Sequence, residues 1–122
     1  SGSSILTGGF GLCGIPENLI RAIGEKKEVK DLDIISSNGG TATAGLGVVL
    51  SNGQVRRLTG SYVGENKVLE NLYLSGQMEL NLVPQGSLAE KIRSGGAGIP
   101  AFFTRTGLGT LVEKGGFTIK YD

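Results

Sequence analysis

Short apolar runs along this chain alternate with stretches in which apolar residues recur every three to four positions, and glycine or proline separates them. Ser4 to Thr7 reads as a strand. Glu17 to Glu25 reads as a helix with an apolar stripe at Leu19, Ile20 and Ile23. Pro16 fits its first position, where a missing N–H costs nothing. Leu32 to Ser36 predicts a second strand, followed by the loop Ser37-Asn38-Gly39-Gly40. Gly45 to Leu50 predicts a short helix closed by the turn signal Asn52-Gly53. Val55 to Tyr62 predicts a third strand. Asn66 to Leu74 carries Val68, Leu69, Leu72 and Tyr73 at helical spacing, and Met78, Leu80 and Leu82 alternate with polar residues as a fourth strand. Pro84 to Arg93 predicts another helix with Leu88, Ala89 and Ile92 inward. A glycine loop, Gly95 to Pro100, then leads to further extended structure at Phe102, Phe103 and Leu111-Val112.

Such alternation predicts an α/β domain with a mainly parallel sheet and helices on both faces. A length of 122 residues suffices for one domain with one core. Ligands of these sheets bind beyond the carboxyl ends of the strands. The loops at 8–16, 37–40 and 83–86 fall there, and Gly95 to Pro100 is expected to fold over that rim.

Composition narrows the chemistry. Glycine supplies 22 of 122 residues, against roughly 7% in ordinary proteins, so many tight turns and close backbone approaches are expected. The net charge of +1 offers no field for nucleic acid or a membrane surface. Arg56-Arg57 reads as a solvated strand edge. The apolar runs are far shorter than the ~20 residues that span a bilayer. No targeting segment is visible, and Ser1 to Ser4 read as a cut end. The single cysteine, Cys13, allows no internal disulfide and favours a reducing compartment. The absence of histidine excludes Ser-His-Asp and Cys-His catalysis within the chain, and any histidine-bearing zinc site. No metal site is expected.

The segment Gly8-Gly9-Phe10-Gly11-Leu12-Cys13-Gly14-Ile15-Pro16 joins the first strand to the first helix. It places backbone N–H groups and a positive helix end where a ligand with negative or developing negative charge would sit. Gly9-x-Gly11-x-x-Gly14 formally matches the dinucleotide fingerprint. The second strand, however, ends in Ser36-Ser37 and not in the acidic residue that holds a ribose. Glycines serving only a tight turn outweigh the nucleotide reading. Cys13 reads as a small buried hydrophobe, because no base is present to activate it. Gln85, directly after the fourth strand, either opens the next helix or turns its amide N–H to a ligand oxygen. Glu65 is the best candidate in the chain for a carboxylate nucleophile.

Several ordered motifs together resemble the α-type half of the family I coenzyme A transferases, and within it the members that move CoA between succinate and 3-oxo acids. They are Gly8-Gly9-Phe10 with Gly14-x-Pro16, Ser61-Tyr62-Val63-Gly64-Glu65-Asn66, Tyr73-Leu74-Ser75-Gly76, Pro84-Gln85-Gly86-Ser87-Leu88-Ala89-Glu90, and Gly95-Gly96-Ala97-Gly98-Ile99-Pro100-Ala101-Phe102. The resemblance covers nearly the whole chain and makes residues 1–122 the N-terminal part of an incomplete α-type domain. It implies a ping-pong reaction whose glutamate nucleophile lies outside this chain, in a β-type half. It implies that Gln85 donates to the oxyanion, and that Gly9, Phe10, Gly11, Gly14, Asn38, Gly96, Ala97 and Gly98 line the substrate and CoA site. Acyl-CoA and a carboxylic acid are then the substrates, with coenzyme A a substrate and no cofactor needed. The implied partners are a complementary β-type half or subunit, within a homo- or hetero-oligomer. The implied location is the mitochondrial matrix in a eukaryote and the cytoplasm otherwise. A nucleotide-binding module and a non-catalytic scaffold fragment are the competing classes.

Overall fold

In the computed structural model, β1 (Ser4–Thr7), β2 (Leu32–Ser36), β3 (Val55–Gly60) and β4 (Glu79–Leu82) form one parallel sheet in the order β1-β2-β3-β4. The structure describes residues 1–64 and 66–114. The connections are α1 (Glu17–Glu25), α2 (Gly47–Ser51) and α3 (Lys67–Leu74). The chain divides into two compact units between Val83 and Pro84. The second unit holds α4 (Gln85–Ala97) and α5 (Leu111–Lys114).

Side chains alternate between the two faces of a strand. Ile5, Ile34, Leu58 and Leu80 stand opposite one another across the four strands and so share one face. With Leu32 and Val55 they join Ile20 of α1, Leu46, Val49 and Leu50 at α2, and Leu69 of α3 in a single core. An unreversed strand order with right-handed crossovers puts these three helices on that same face, so within this unit they cover one face and not the two expected. There α1 packs on α2 and α2 on α3. Of the predicted stripe on α1, Ile20 is buried and Ile23 partly buried, whereas Leu19 is exposed.

The opposite face carries a polar row: Ser4, Asp33, Arg57 and Glu79 share one register line. Arg57 donates through Nε to Asp33 Oδ1 at 3.0 Å and through Nη2 to Oδ2, a bidentate pair. Its Nη1 lies 3.9 Å from Glu79 Oε2. The arginine pair therefore does not mark a sheet edge, since β3 is an inner strand. Leu32 pairs with Val55 and Asp33 with Arg57, so Arg56 is an extra residue that bulges outward and is exposed.

Two amides close the far end of α1, where no glycine supplies a cap. Gln54, fully buried, donates through Nε2 to the carbonyls of Ile23 (3.0 Å), Lys26 (2.9 Å) and Val29 (3.2 Å). Asn52 Nδ2 donates to Gly24 O at 3.0 Å. Ile23 O and Lys26 O also accept from the backbone N–H groups of Lys26 and Val29, so the two amides add to a turn that already closes the helix.

In the second unit α4 runs four residues beyond the predicted Arg93, so Gly95, Gly96 and Ala97 are helical and not part of a loop. Gly98 caps the helix in the left-handed conformation (φ 68°). Leu88 is buried, whereas Ala89 and Ile92 are exposed, which corrects the expected inward face. Leu111 and Val112, expected to be extended, lie in α5. Among the described residues no helix is long and apolar enough to cross a membrane.

Two outcomes are expected. The Arg57 guanidinium, first by hydrogen bonding, holds the Asp33 carboxyl below its usual range. The folded state then binds fewer protons than the unfolded chain, so this contribution is full above the unfolded carboxylate range. It is lost as pH falls below about 4. Asp33→Asn should lower the unfolding midpoint at pH 7 and flatten the acid limb of stability against pH. An unaltered limb contradicts the pairing. Separately, Gly95 is helical, exposed and free of neighbours around an added Cβ. Gly95→Ala should stabilise by about 0.5–1 kcal/mol in chemical denaturation, and a loss would contradict a helix there.

Candidate functional site

The chain leaves β1 through Gly8 and doubles back at once. Phe10 N–H donates to Cys13 O at 2.9 Å and Cys13 N–H to Phe10 O at 2.8 Å, closing a tight turn. This small hairpin leaves Phe10 75% exposed and Cys13 exposed, so Cys13 is not the buried hydrophobe the sequence predicts. Pro16 stands at the N-cap of α1, one position earlier than predicted, with no side-chain cap. Glu17 N–H is already taken by Ile15 O at 2.9 Å.

Next to this turn lies the loop that follows β2. Ser37 Oγ donates to Gly9 O, tying the two loops together. Ser37 O accepts from Ser61 N (3.2 Å), Tyr62 N (3.1 Å) and Ser61 Oγ (2.8 Å), which joins the loop to the end of β3. Strand β3 stops at Gly60, short of the predicted Tyr62, and Tyr62 forms an isolated parallel bridge with Asn38. Asn38 is largely buried, and its Oδ1 accepts from Gly40 N–H at 3.2 Å. Its Nδ2 points towards the first loop: a Cβ placed on Gly11 would lie 4.0 Å away.

Asn66 holds the other side of that loop. This amide, 2% exposed, accepts at Oδ1 from Val68 N and Leu69 N, both at 3.1 Å, as the N-cap of α3. Its Nδ2 donates to Gly39 O at 3.0 Å and Thr41 O at 3.3 Å. Gly39 rests so closely on α3 that an added Cβ would overlap Leu69 Cδ1.

The structure thus gathers Gly9, Phe10, Gly11 and Asn38 at the carboxyl ends of β1 to β3, with Gly14 leading into α1. Gln85, Gly96, Ala97 and Gly98 belong to the second unit. Gln85 is the exposed first residue of α4, while Gly96 and Ala97 lie in its last turn. Helix rise alone separates Gln85 from Ala97 by about 18 Å. Glu65 lies outside the described residues. Among the described residues no three His, Cys, Asp or Glu side chains converge as a metal site would require. What the cluster presents is amide and backbone hydrogen-bonding groups, suited to binding and orienting a ligand. Sequence reasoning missed Ser37 and Asn66 as members of this cluster. An Asn directly before a helical pattern signals the cap, but nothing local signals its bonds to Gly39 and Thr41.

The chain belongs to the coenzyme A transferase family, whose model, described as Coenzyme A transferase, matches residues 1–121. It is 60% identical over 121 residues to the mitochondrial succinyl-CoA:3-ketoacid coenzyme A transferase 2A of Rattus norvegicus, covering 99% of this chain and 23% of that protein. It is 58% identical to the mitochondrial succinyl-CoA:3-ketoacid coenzyme A transferase 2 of Homo sapiens over 119 residues, covering 98% of this chain and 23% of that protein. A bacterial relative is one subunit of the probable succinyl-CoA:3-ketoacid coenzyme A transferase of Bacillus subtilis. The two share 54% over 114 residues, 93% of this chain and 48% of the bacterial one. The chain therefore spans less than a quarter of these mitochondrial relatives and about half of the Bacillus protein. The fold is similar to that of an acyl-CoA transferase from E. coli O157:H7, solved as a thioester complex with CoA. The TM-score is 0.75 at 23% identity, covering 92% of this chain and 23% of that one.

Gly39→Ala should force the loop and Leu69 apart and destabilise the protein by about 1–3 kcal/mol. Denaturant unfolding checks this, and an unchanged midpoint would deny the close contact.

Proposed function

We propose that this chain forms part of the α-type half of an enzyme that moves coenzyme A from succinyl-CoA to a 3-oxo acid such as acetoacetate. The observation that carries this reading is identity of 54–60% with transferases named for that substrate pair, across nearly all of this chain. The loops at the strand ends support it, since they offer amide side chains and closely approaching backbone.

In the proposed reaction a glutamate carboxylate from the β-type half attacks the thioester carbonyl. The C–S bond breaks, giving an acyl-glutamyl anhydride and CoA thiolate. The thiolate then attacks the glutamyl carbonyl and releases the first carboxylate, leaving an enzyme–CoA thioester. The second carboxylate takes the acyl position by the same two steps in reverse, and the glutamate is freed. Covalent capture divides one hard exchange into easier ones. Such a nucleophile needs no histidine, because a carboxylate is already ionised at neutral pH.

This chain supplies walls and donors. Gln85, through its amide N–H, stabilises the oxyanion that forms on the attacked carbonyl, where one pre-organised donor contributes about 3–4 kcal/mol. Gly9, Phe10, Gly11, Gly14, Gly96, Ala97 and Gly98 line the substrate and CoA site, and Asn38 meets the acyl group. Coenzyme A is a substrate here, and no cofactor is required. The partner is a β-type half, either fused or separate, and the mitochondrial matrix is the proposed location in a eukaryote.

In the complete transferase Gln85→Ala should lower kcat roughly 10²–10³-fold with the fold intact. Steady-state kinetics check this, and an unchanged kcat removes Gln85 from the site.

A further inference from the structure

We infer that Asn66 is a positioning residue of this site: its carboxamide fixes where Asn38 stands. The inference rests on the proposed role of Asn38 for its effect on activity, and on geometry alone for the rest.

The donors and the acceptor of the Asn66 amide are committed to two different structures. Oδ1 holds the first turn of α3 through Val68 N and Leu69 N. Nδ2 holds the carbonyls of Gly39 and Thr41, which flank Gly40. Gly40 N–H in turn donates to Asn38 Oδ1 at 3.2 Å. A continuous chain of contacts therefore runs from the start of α3 through residues 39–41 to the Asn38 side chain. The amide is almost wholly buried, so water does not replace either donor bond cheaply. Packing acts in the same direction, because Gly39 lies directly against Leu69 of the helix that Asn66 caps.

Capping alone does not need this residue. Ser, Thr and Asp cap helices about as well as Asn does. Of these only Asn caps with an oxygen while holding two N–H donors for a second segment. The arrangement therefore separates two roles that one substitution can split. In Asn66→Asp the carboxylate still accepts from Val68 and Leu69, but it faces the carbonyl oxygens of Gly39 and Thr41 with no donor. The cap stays and the hold on the loop is lost.

The test uses Asn66→Asp in the complete transferase, with Asn66→Ser as a second variant should the buried charge prevent folding. Amide hydrogen exchange is the geometric readout. Protection of Gly40 N–H should fall at least tenfold while Val68 and Leu69 stay protected. Unchanged protection at Gly40 would overturn the inference. Kinetics supply the second readout. KM for the carboxylic acid should rise roughly tenfold with kcat nearly unchanged, as for a lost binding contact. In an Asn38→Ala background the same substitution should add less than twofold. Where Asn38→Ala itself raises KM, full additivity would overturn the inference, since it would mean that Asn66 acts by a route other than Asn38. Loss of Gly40 protection together with an Asn38→Ala variant of normal activity would uphold the positioning and refute the role proposed for Asn38. The two failures are thereby told apart.

Discussion

Parallel pairing sends every strand of this sheet out on the same side, and the rest of the arrangement follows from that constraint. Each connection has to return over the sheet, so helices cover one face and the loops gather at the carboxyl ends. The unreversed order β1-β2-β3-β4 makes neighbours of loops that are 28 residues apart in sequence, as the bond from Ser37 to Gly9 records. The apolar row of Ile5, Ile34, Leu58 and Leu80 fixes the register that sets this alignment. A slip by one residue would turn that row away from the helices and bring Asp33 and Arg57 into the core.

Buried amides do what turn chemistry alone leaves undone. Gln54 gathers three carbonyls at the end of α1, and Asn66 joins the start of α3 to the loop after β2. Gln54 sits immediately before β3 and Asn66 immediately before α3, each within reach of the carbonyls of a neighbouring segment. A charged residue in either place would face a desolvation cost that an amide, with donors and acceptors both in use, does not. In both cases the polar interior specifies position while the apolar row supplies the bulk of burial.

Much of the fold was legible. The bounds of β1, α1 and β2 could be read from the sequence because short apolar runs were bracketed by glycine, proline and charged residues. Legibility failed where one residue type serves two structures. Gly95 and Gly96 read as a loop, yet the helix continues through them to the left-handed cap at Gly98. Arg56-Arg57 read as an edge because a bulge, which separates the two side chains, leaves no local mark. Cys13 read as buried, but the Phe10–Cys13 hairpin turns it outward. For the site, the glycine-rich turn and Asn38 were visible as motifs. The bonds that assemble them, from Ser37 and Asn66, span 25 or more residues and depend on strand order, which no local pattern encodes.

In the proposed chemistry this chain is a wall that binds and orients a thioester whose nucleophile comes from another half. The most direct measurement of that division is turnover of acetoacetyl-CoA with succinate, followed by loss of the acetoacetyl-CoA enolate absorbance. This 122-residue chain alone should give no turnover, and turnover should appear once a complementary β-type half is added. Turnover by the chain alone would contradict this division and turn attention to Glu65 as the nucleophile.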